Sequence, residues 1–147
     1  MKDDKYVVCD LDGTLCDHSD RIYLAWLGEW DSYNGGCIVD TPNMPCLDFI
    51  TFLGRKEYKI IFLTGRADKF VKHTVEWLRK YVFFDFFLIM RGDKDFRSSG
   101  EFKKHALLDF CVKNDILVSQ IEYAIDDNDD CVAMFKDLNI KKVIKYK

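Results

Sequence analysis

Short apolar runs alternate with longer stretches of helical periodicity along this chain, and that alternation constrains the fold more than any other feature. The run KYVVC stops at Asp10, and the run KIIFL stops at Thr64. Strands that are buried on both faces of a parallel sheet have such continuous apolar sequences. The predicted strands cover residues 5–9, 59–63, 85–90, 121–125 and 142–146. Their alternation with helices predicts an α/β fold with a parallel sheet and right-handed crossovers.

Helices are predicted between these strands from the spacing of their apolar residues. Pro45 can occupy a first helical position, and Cys46, Phe49, Ile50 and Leu53 then share one face. Three similar stripes are Val71, Val75 and Leu78; Phe102, Ala106 and Phe110; and Val132, Phe135 and Leu138. We interpret these stripes as parts of the hydrophobic core rather than as contacts to a cofactor.

Length and composition indicate one globular domain over residues 1–147. Apolar residues make up 48% of the chain and charged residues 32%, which excludes extended disorder, and no run of about 20 apolar residues could span a membrane. The charged start leads directly into a strand, so no signal peptide is predicted. We therefore expect a soluble, cytoplasmic protein with reduced cysteines and no membrane partner. Cys16 and His18 lack a second ligand pair for a zinc site.

The net charge of −3 and the isoelectric point near 5.6 argue against a protein that coats duplex nucleic acid. Such binding depends on many contacts between basic side chains and phosphates. An enzyme that acts on a nucleic-acid end needs only a local basic patch, so this class of enzyme stays open.

Polar residues follow three of the predicted strands at the point where each strand ends. Asp10 and Asp12 follow the first strand, Thr64 follows the second, and Asp126 and Asp127 follow the fourth. Parallel sheets place their sites beyond the carboxyl ends of the strands. One crevice could therefore collect all of these side chains.

The stretch 16–44 is predicted to be a small cap over that crevice, inserted after the first strand. It contains two adjacent glycines, a proline and several polar residues, and it shows no clear helical or strand period. A cap of this size leaves a site open, which favours a large or polymeric substrate.

The sequence DLDGTL, from Asp10 to Leu15, resembles the first motif of phosphatases of the haloacid dehalogenase (HAD) superfamily. FLTGR at 62–66 resembles the second motif, Lys103 the third and AIDD at 124–127 the fourth, in the order of that superfamily. The resemblance implies a three-layer, Rossmann-like α/β fold with a small cap. It also implies a phosphatase in which Asp10 is transiently phosphorylated.

The chemistry of these residue types agrees with the implied roles. An ionised Asp10 can attack phosphorus and form an aspartyl-phosphate, which divides one difficult displacement into two easier ones. Asp12 can protonate the leaving oxygen and later deprotonate the attacking water. Thr64 and Gly65 can donate hydrogen bonds to the phosphoryl oxygens.

A lysine is expected to neutralise the charge that accumulates during phosphoryl transfer. Lys103 and Lys104 compete for this role. We prefer Lys103, because a helix that turns Phe102 and Ala106 inward presents the two lysines differently and because the spacing in the superfamily favours it.

Several carboxylates in one crevice would repel each other, by about 4 kcal/mol per pair at ~4 Å with an effective dielectric constant of ~20. A hard cation such as Mg²⁺ would relieve this repulsion and could also bridge to a phosphate oxygen. The expected ligands are Asp10, the backbone carbonyl of Asp12, and Asp127. Asp126 is a second candidate ligand or an outer-shell partner.

Within the superfamily, the chain is most similar to the phosphatase domain of phage-type polynucleotide kinase/phosphatase, over nearly its whole length. The similarity rests on Arg21, Trp30-Asp31, Pro42-Asn43, Thr64-Gly65-Arg66, Glu76-Trp77-Leu78, Met90-Arg91 and Phe96-Arg97. It implies removal of 3′-phosphates from nucleic-acid ends or nucleotides, with assistance from Arg21 and Arg66. A phage source would place the protein in the host cytoplasm.

A basic rim that binds the substrate could be formed around the acidic centre by Arg21, Arg66, Arg91 and Arg97, because a planar guanidinium suits phosphate. The alternative for Arg91 and Arg97 is a surface salt bridge with Asp93, Asp95 or Glu101. Trp26, Trp30 and Tyr33 could stack on a terminal base, although we expect them to pack within the cap.

The sequence contains no phosphate-binding loop of the form G-x-x-x-x-G-K-[ST]. If the protein takes part in end repair, separate kinase and ligase proteins are therefore expected as partners.

Three other functions stay open. The first is a small-molecule phosphatase, such as a nucleotidase or a sugar phosphatase. The second is a phosphate-accepting receiver domain, but receivers carry their acidic pair on the first strand, whereas Asp126 and Asp127 follow Lys103 here. The third is a silent binding protein, although every chemical position is filled.

Overall fold

The computed structural model describes residues 3–146, which form a central parallel sheet with helices on both faces. The strands are β1 (Tyr6–Cys9), β2 (Cys16–Asp17), β3 (Thr41–Pro42), β4 (Lys59–Ala67), β5 (Phe86–Arg91), β6 (Ile121–Asp126) and β7 (Lys142–Lys145). Five of them form the main sheet in the order β5-β4-β1-β6-β7, and every neighbouring pair is parallel. The predicted α/β fold is confirmed.

The second long strand, β4, continues further than predicted. Its expected end was Leu63, but it extends through Gly65 to Ala67. The pairing with β5 becomes irregular between Leu63 and Ala67, because the chain there leaves the regular ladder to enter the site.

Six α-helices lie between the strands. They are α1 (Ile22–Trp26), α2 (Trp30–Gly35), α3 (Met44–Arg55), α4 (Val71–Tyr81), α5 (Ser99–Lys113) and α6 (Asp129–Asp137). As predicted, α3 has its proline in the first turn. Side-chain caps begin the last two helices: Ser98 accepts a hydrogen bond from the Glu101 N–H, and Asn128 from the Cys131 N–H.

Two hydrophobic clusters, one on each face of the sheet, make the fold a three-layer arrangement. Val7 and Cys9 of β1 belong to the cluster formed with α3 and α4. Tyr6 and Val8 belong to the cluster formed with α5 and α6. The alternation follows from the two-residue period of a strand, and it anchors β1, whose end carries Asp10, on both sides.

The buried face of α4 differs from the predicted stripe. Val71 is 43% exposed, whereas Thr74, Trp77 and Leu78 are buried. The large Trp77 ring removes more apolar surface from water than Val71 would, and its Nε1 donates a hydrogen bond to the Asp40 carbonyl at 2.8 Å.

The stretch 16–44 is more regular than its sequence indicates. It begins with β2 and ends near β3, which pair as an antiparallel ribbon, and it contains α1, α2 and a 3₁₀ turn at Gly36–Val39. Tyr33 is buried, but Trp26 is 77% and Trp30 56% exposed. The expectation that all three aromatic rings pack inside this stretch is therefore wrong for the two tryptophans.

All six cysteines are buried free thiols. Among the helices of residues 3–146, none combines the length and the apolar character that crossing a membrane requires.

Candidate active site

A cleft with a volume of about 960 Å³ opens at the carboxyl ends of β1, β4 and β6. The chain leaves β1 toward β4 on one side of the sheet and later returns to β6 on the other, so the crossovers diverge here. Such a switch point is where open α/β sheets bind their ligands. The cleft collects Asp10, Asp12, Thr64, Asp126 and Asp127, as the sequence predicted.

Asp10 lies at the floor of the cleft and is almost completely buried. Its backbone N–H donates to the Ile125 carbonyl at 3.0 Å, which fixes the end of β1 against β6. Its Oδ1 accepts a hydrogen bond from Lys103 Nζ at 3.0 Å, and its Oδ2 accepts one from Thr14 Oγ1 at 3.1 Å. Both carboxylate oxygens therefore have a fixed donor.

Lys103 reaches the site from the first turns of α5 and is itself buried. Its Nζ lies 3.0 Å from Asp10 and 2.7 Å from Asp126. Burial alone would lower the pKa of Lys103, but the charges of Asp10 and Asp126 outweigh it and raise that pKa, so the ammonium form persists. Lys104, the rival in the sequence, is exposed.

An acidic cluster is formed by Asp10, Asp126 and Asp127, whose carboxylate oxygens lie within 4.8 Å of one another. Burial, together with the charge of Asp10, raises the pKa of Asp126 to about 6 and that of Asp127 to about 7. The single positive charge of Lys103 does not balance the negative charge of three carboxylates. The cluster thus offers hard oxygen donors and excess negative charge, and this donor chemistry fits Mg²⁺.

Thr14 and Gly13 support this cluster, and neither was given a role at the site from the sequence. Besides its bond to Asp10, Thr14 Oγ1 lies 3.3 Å from Asp127 Oδ1 and can donate to it instead. Gly13 has a φ of +81°, and a β-carbon there would lie 2.3 Å from Asp127 Oδ2. The turn after β1 therefore requires glycine for two separate reasons. Both residues lie inside the motif DLDGTL, and this position could have indicated a role at the site.

Asp12 points to a different set of partners from those of Asp10. Arg66 donates to both of its carboxylate oxygens, and Arg21 donates a further short hydrogen bond to Oδ1. Burial alone would raise the pKa of Asp12, but Arg66 and then Arg21 outweigh burial and hold it well below its usual range. Asp12 is therefore ionised and fixed in orientation.

Arg21 is buried by a set of contacts that the sequence did not reveal. Its Nε donates to Asp40 Oδ1 at 2.9 Å, its Nη1 donates to the Tyr33 carbonyl at 2.8 Å, and its guanidinium lies over the Tyr33 ring. The stretch that supplies Asp40 and Tyr33 has no period, so no sequence pattern indicates their burial. Asp12, Cys16 and Asp40 also form a cluster of potential metal ligands, but the two arginines already balance its charge.

Thr64 and Gly65 lie where β4 enters the cleft. Thr64 is buried, and its Oγ1 accepts a hydrogen bond from the Arg66 N–H at 3.1 Å. Gly65 is exposed toward the cleft. These positions allow the hydroxyl and the backbone N–H to meet a phosphoryl group, and this role stays a prediction.

Arg97 lies on the rim of the cleft and not beside Asp10. Its Nε donates to Asp95 Oδ1 at 3.0 Å, and Arg91 Nη1 donates to the Arg97 carbonyl at 2.6 Å. The structure therefore contains the Arg97 salt bridge that the sequence offered as the alternative to substrate binding.

The model of the polynucleotide kinase PNKP phosphatase domain family matches residues 4–144, nearly the whole chain. This chain belongs to that family. The match confirms the predicted resemblance and, with the HAD fold, makes the chain a phosphatase of the haloacid dehalogenase type. No curated protein matches it.

Solved structures agree with this family membership. A chain of the Pnkp1/Rnl/Hen1 complex is 26% identical, with a TM-score of 0.76 over 96% of this chain and 45% of that chain. A chain of the Pnkp1/Rnl/Hen1 RNA repair complex is 26% identical, with a TM-score of 0.79, and the match covers 97% of this chain and 43% of that chain. The PNKP-type chain described here thus spans less than half of either relative.

A more distant structure shares the fold alone. The haloacid dehalogenase-like hydrolase SP0104 from Streptococcus pneumoniae is 14% identical, with a TM-score of 0.66 over 98% of this chain and 85% of its own.

Proposed function

We propose that this protein is a Mg²⁺-dependent phosphomonoesterase that removes 3′-phosphates from nucleic-acid ends or nucleotides. The observation that carries the proposal is the environment of Asp10. Its carboxylate is held between Lys103 and Thr14 at the floor of an open cleft, beside two further carboxylates. Nucleophilic attack on phosphorus requires a carboxylate held in a fixed orientation, and these contacts orient Asp10.

In the first step, Asp10 forms a bond to phosphorus while the bond from phosphorus to the ester oxygen breaks. The leaving oxygen takes a proton from Asp12, and the product is an aspartyl-phosphate on Asp10. In the second step, water attacks this phosphorus while the bond between phosphorus and the Asp10 oxygen breaks; the water proton passes to Asp12, the Asp10 carboxylate is regenerated, and inorganic phosphate leaves. Lys103 would lower the cost of the charge that gathers on the phosphoryl oxygens.

Arg21 and Arg66 fit this cycle as positioning residues for Asp12. They favour its ionised form, which is the form that accepts a proton from water in the second step. A negatively charged phosphate close to Asp12 would oppose the effect of the two arginines and raise its pKa, which favours proton donation in the first step. Asp12 would thus change roles with the charge beside it.

The acidic cluster supplies the side chains that would hold Mg²⁺: Asp10 and Asp127, with Asp126 as a further ligand or outer partner. The backbone carbonyl of Asp12 is the fourth proposed donor. When bound, Mg²⁺ would neutralise the cluster and polarise a phosphoryl oxygen.

A nucleic-acid substrate is supported by the family, which is defined on polynucleotide kinase, and by the relatives in an RNA repair complex. In those relatives the matched protein assembles with Rnl and Hen1. We extend the proposal to separate kinase and ligase partners for this chain, and to a cytoplasmic location.

Phosphate release should be measured with Mg²⁺ or EDTA from matched oligonucleotides that carry a 3′- or a 5′-phosphate. 3′-Mononucleotides and sugar phosphates should be assayed beside them, and Asp10→Asn serves as the control for contaminating phosphatases. Metal-dependent release from 3′-phosphates alone is expected. Release from sugar phosphates alone would keep the phosphatase chemistry and contradict the nucleic-acid substrate.

A further inference from the structure

Two aromatic side chains stand exposed on the rim of the cleft. Trp30, at the start of α2, is 56% exposed, and Phe96, in the loop between β5 and α5, is 88% exposed. Both line the cleft whose floor carries Asp10. Single exposed rings are ordinary on a protein surface, and what distinguishes these two is that both line the same cleft as Asp10.

The Trp30 ring and the backbone of the loop that carries Phe96 each have a defined contact. The Trp30 ring contacts the buried Tyr33 ring edge to face, with centroids 5.7 Å apart. The loop that carries Phe96 is braced from below by Arg91, whose Nη1 donates to the carbonyls of Asp95 and Arg97. These contacts restrain the Trp30 side chain and the backbone on either side of Phe96, which lowers the entropy that a ligand would have to remove.

The two sides of the rim lie close together. Lys69 Nζ lies 2.9 Å from Asp31, the neighbour of Trp30, and 3.6 Å from Asp93, in the loop that carries Phe96. One ammonium group thus joins the α2 side of the cleft to the β5 side.

Two basic side chains of the cleft rim are already paired with carboxylates. Lys69 is paired with Asp31 and Asp93, and Arg97 is paired with Asp95. A protein that grips a polyanion needs unpaired basic side chains along the path of its phosphates. These ion pairs reduce what Lys69 and Arg97 offer to a row of phosphates, whereas the exposed rings of Trp30 and Phe96 can contact a base.

We infer that Trp30 and Phe96 form a stacking subsite for the base of the terminal nucleotide, whose 3′-phosphate reaches Asp10. The inference rests on the proposed function and adds to it that the enzyme recognises the terminal base of its substrate. Stacking tolerates every base, so the subsite selects the presence of a base and not its identity. Affinity from stacking should also depend only weakly on salt, unlike affinity from phosphate contacts.

The test uses two single-stranded oligonucleotides that end in a 3′-phosphate, one on a normal nucleotide and one on 1,2-dideoxyribose, an abasic analogue without the aldehyde that would eliminate the phosphate spontaneously. For the wild-type protein, kcat/KM is expected to be about 5- to 100-fold higher with the terminal base than without it. Trp30→Ala and Phe96→Ala should remove most of this preference while leaving the abasic substrate unaffected. Phe96→Tyr should retain it, and Phe96→Leu, which keeps apolar volume without a π face, should not.

Phe83→Ala is the matched control, because Phe83 is also 88% exposed but lies outside the residues that line the cleft. It should leave both substrates unchanged. Equal kcat/KM for the two oligonucleotides with the wild-type protein would overturn the stacking subsite while the 3′-phosphatase proposal stands. An equal loss on both substrates in the alanine variants would overturn it as well. No release of 3′-phosphate from either substrate would overturn the proposed function together with the subsite.

Discussion

Arg66 holds Asp12 through two of its guanidinium nitrogens: Nε donates to Oδ2 at 3.0 Å and Nη2 donates to Oδ1 at 2.7 Å. The remaining nitrogen, Nη1, donates to Thr74 Oγ1 at 3.1 Å, which fixes the guanidinium on α4. This fork sets the plane of the carboxylate, and a lysine ammonium could not reproduce it. The buried Arg66 thus fixes the orientation of Asp12, the proposed acid and base.

Arg66→Lys keeps the positive charge and removes the fork. We expect kcat/KM for a 3′-phosphorylated oligonucleotide to fall by about tenfold to 100-fold, the range for one charge-assisted hydrogen bond. Arg79→Lys, at an exposed position of α4, is the control for the same substitution away from the site and should change nothing. Thermal unfolding of both variants would separate a loss of orientation from a loss of structure. Full activity in Arg66→Lys would remove this residue from the positioning of Asp12.

Lys103 and Lys104 provide a second matched pair. Lys103→Met removes the cation between Asp10 and Asp126, so kcat is expected to fall by about 100-fold or more, as for other groups that stabilise transition-state charge. Lys104→Met changes an exposed neighbour and should stay within about twofold. Steady-state phosphate release at saturating Mg²⁺ measures both. Equal losses in the two variants would argue against a specific role for Lys103.

The sequence predicted those parts of the site that belong to a repeating pattern. Asp10 and Asp126 could be located because apolar strands stop at them, and Lys103 could be preferred because Phe102 sets the inward face of α5. Asp40 and Tyr33 could not, since both belong to a stretch without a period and are buried by contacts with Arg21 and Trp77. Such contacts depend on the tertiary arrangement, which no local spacing encodes.

The same limit explains the errors at the edges of elements. The end of β4 was expected at Leu63, where the apolar run stops, but backbone extension continues to Ala67 because Arg66 is drawn inward by Asp12. The exposure of Trp30 was missed for a different reason. An aromatic ring normally indicates core, but folded proteins also expose large apolar side chains, so the residue type alone did not place Trp30.

The acidic cluster should make stability depend on both pH and Mg²⁺. Burial and the charge of Asp10 raise the pKa of Asp127 to about 7 and the pKa of Asp126 to about 6 in the metal-free protein. A carboxyl group whose pKa is raised by folding binds its proton more tightly in the folded state, so protonation favours that state. The metal-free protein should therefore lose stability as the pH rises from about 4, near the pKa of an unfolded aspartate, to about 7.

Mg²⁺ binds the ionised carboxylates and should reverse this loss, so the increase in Tm on adding Mg²⁺ is expected to grow over the same pH range. Thermal unfolding should be measured at each pH in this range in EDTA and in Mg²⁺. The difference between the two Tm values isolates the effect of the metal, because groups far from the cluster titrate alike in both solutions. Asp127→Asn should raise the Tm of the metal-free protein above pH 7, because it removes one of the repelling charges, and should reduce the response to Mg²⁺. An increase in Tm that is independent of pH would contradict a metal site in this cluster.

Alanine variants of Gly13 and Gly28 can distinguish the effect of backbone strain from the effect of crowding at the site. Both have a positive φ, +81° and +76°, so an alanine at either position costs about 1–2 kcal/mol of stability. A β-carbon at Gly13 would also lie 2.3 Å from Asp127 Oδ2, whereas at Gly28 it would meet no atom within 4 Å. Gly13→Ala must therefore displace Asp127 from the acidic cluster.

We expect the two variants to lose similar stability in EDTA but to differ in function. Gly28→Ala should keep the kcat of the wild-type protein and its increase in Tm with Mg²⁺. Gly13→Ala should lose most of both, because the proposed ligand Asp127 can no longer approach Asp10. Phosphate release together with Mg²⁺-dependent unfolding measures the two effects in the same samples. If Gly13→Ala retained its response to Mg²⁺, the metal would have to bind without Asp127 in its present position, and the proposed ligand set would be wrong.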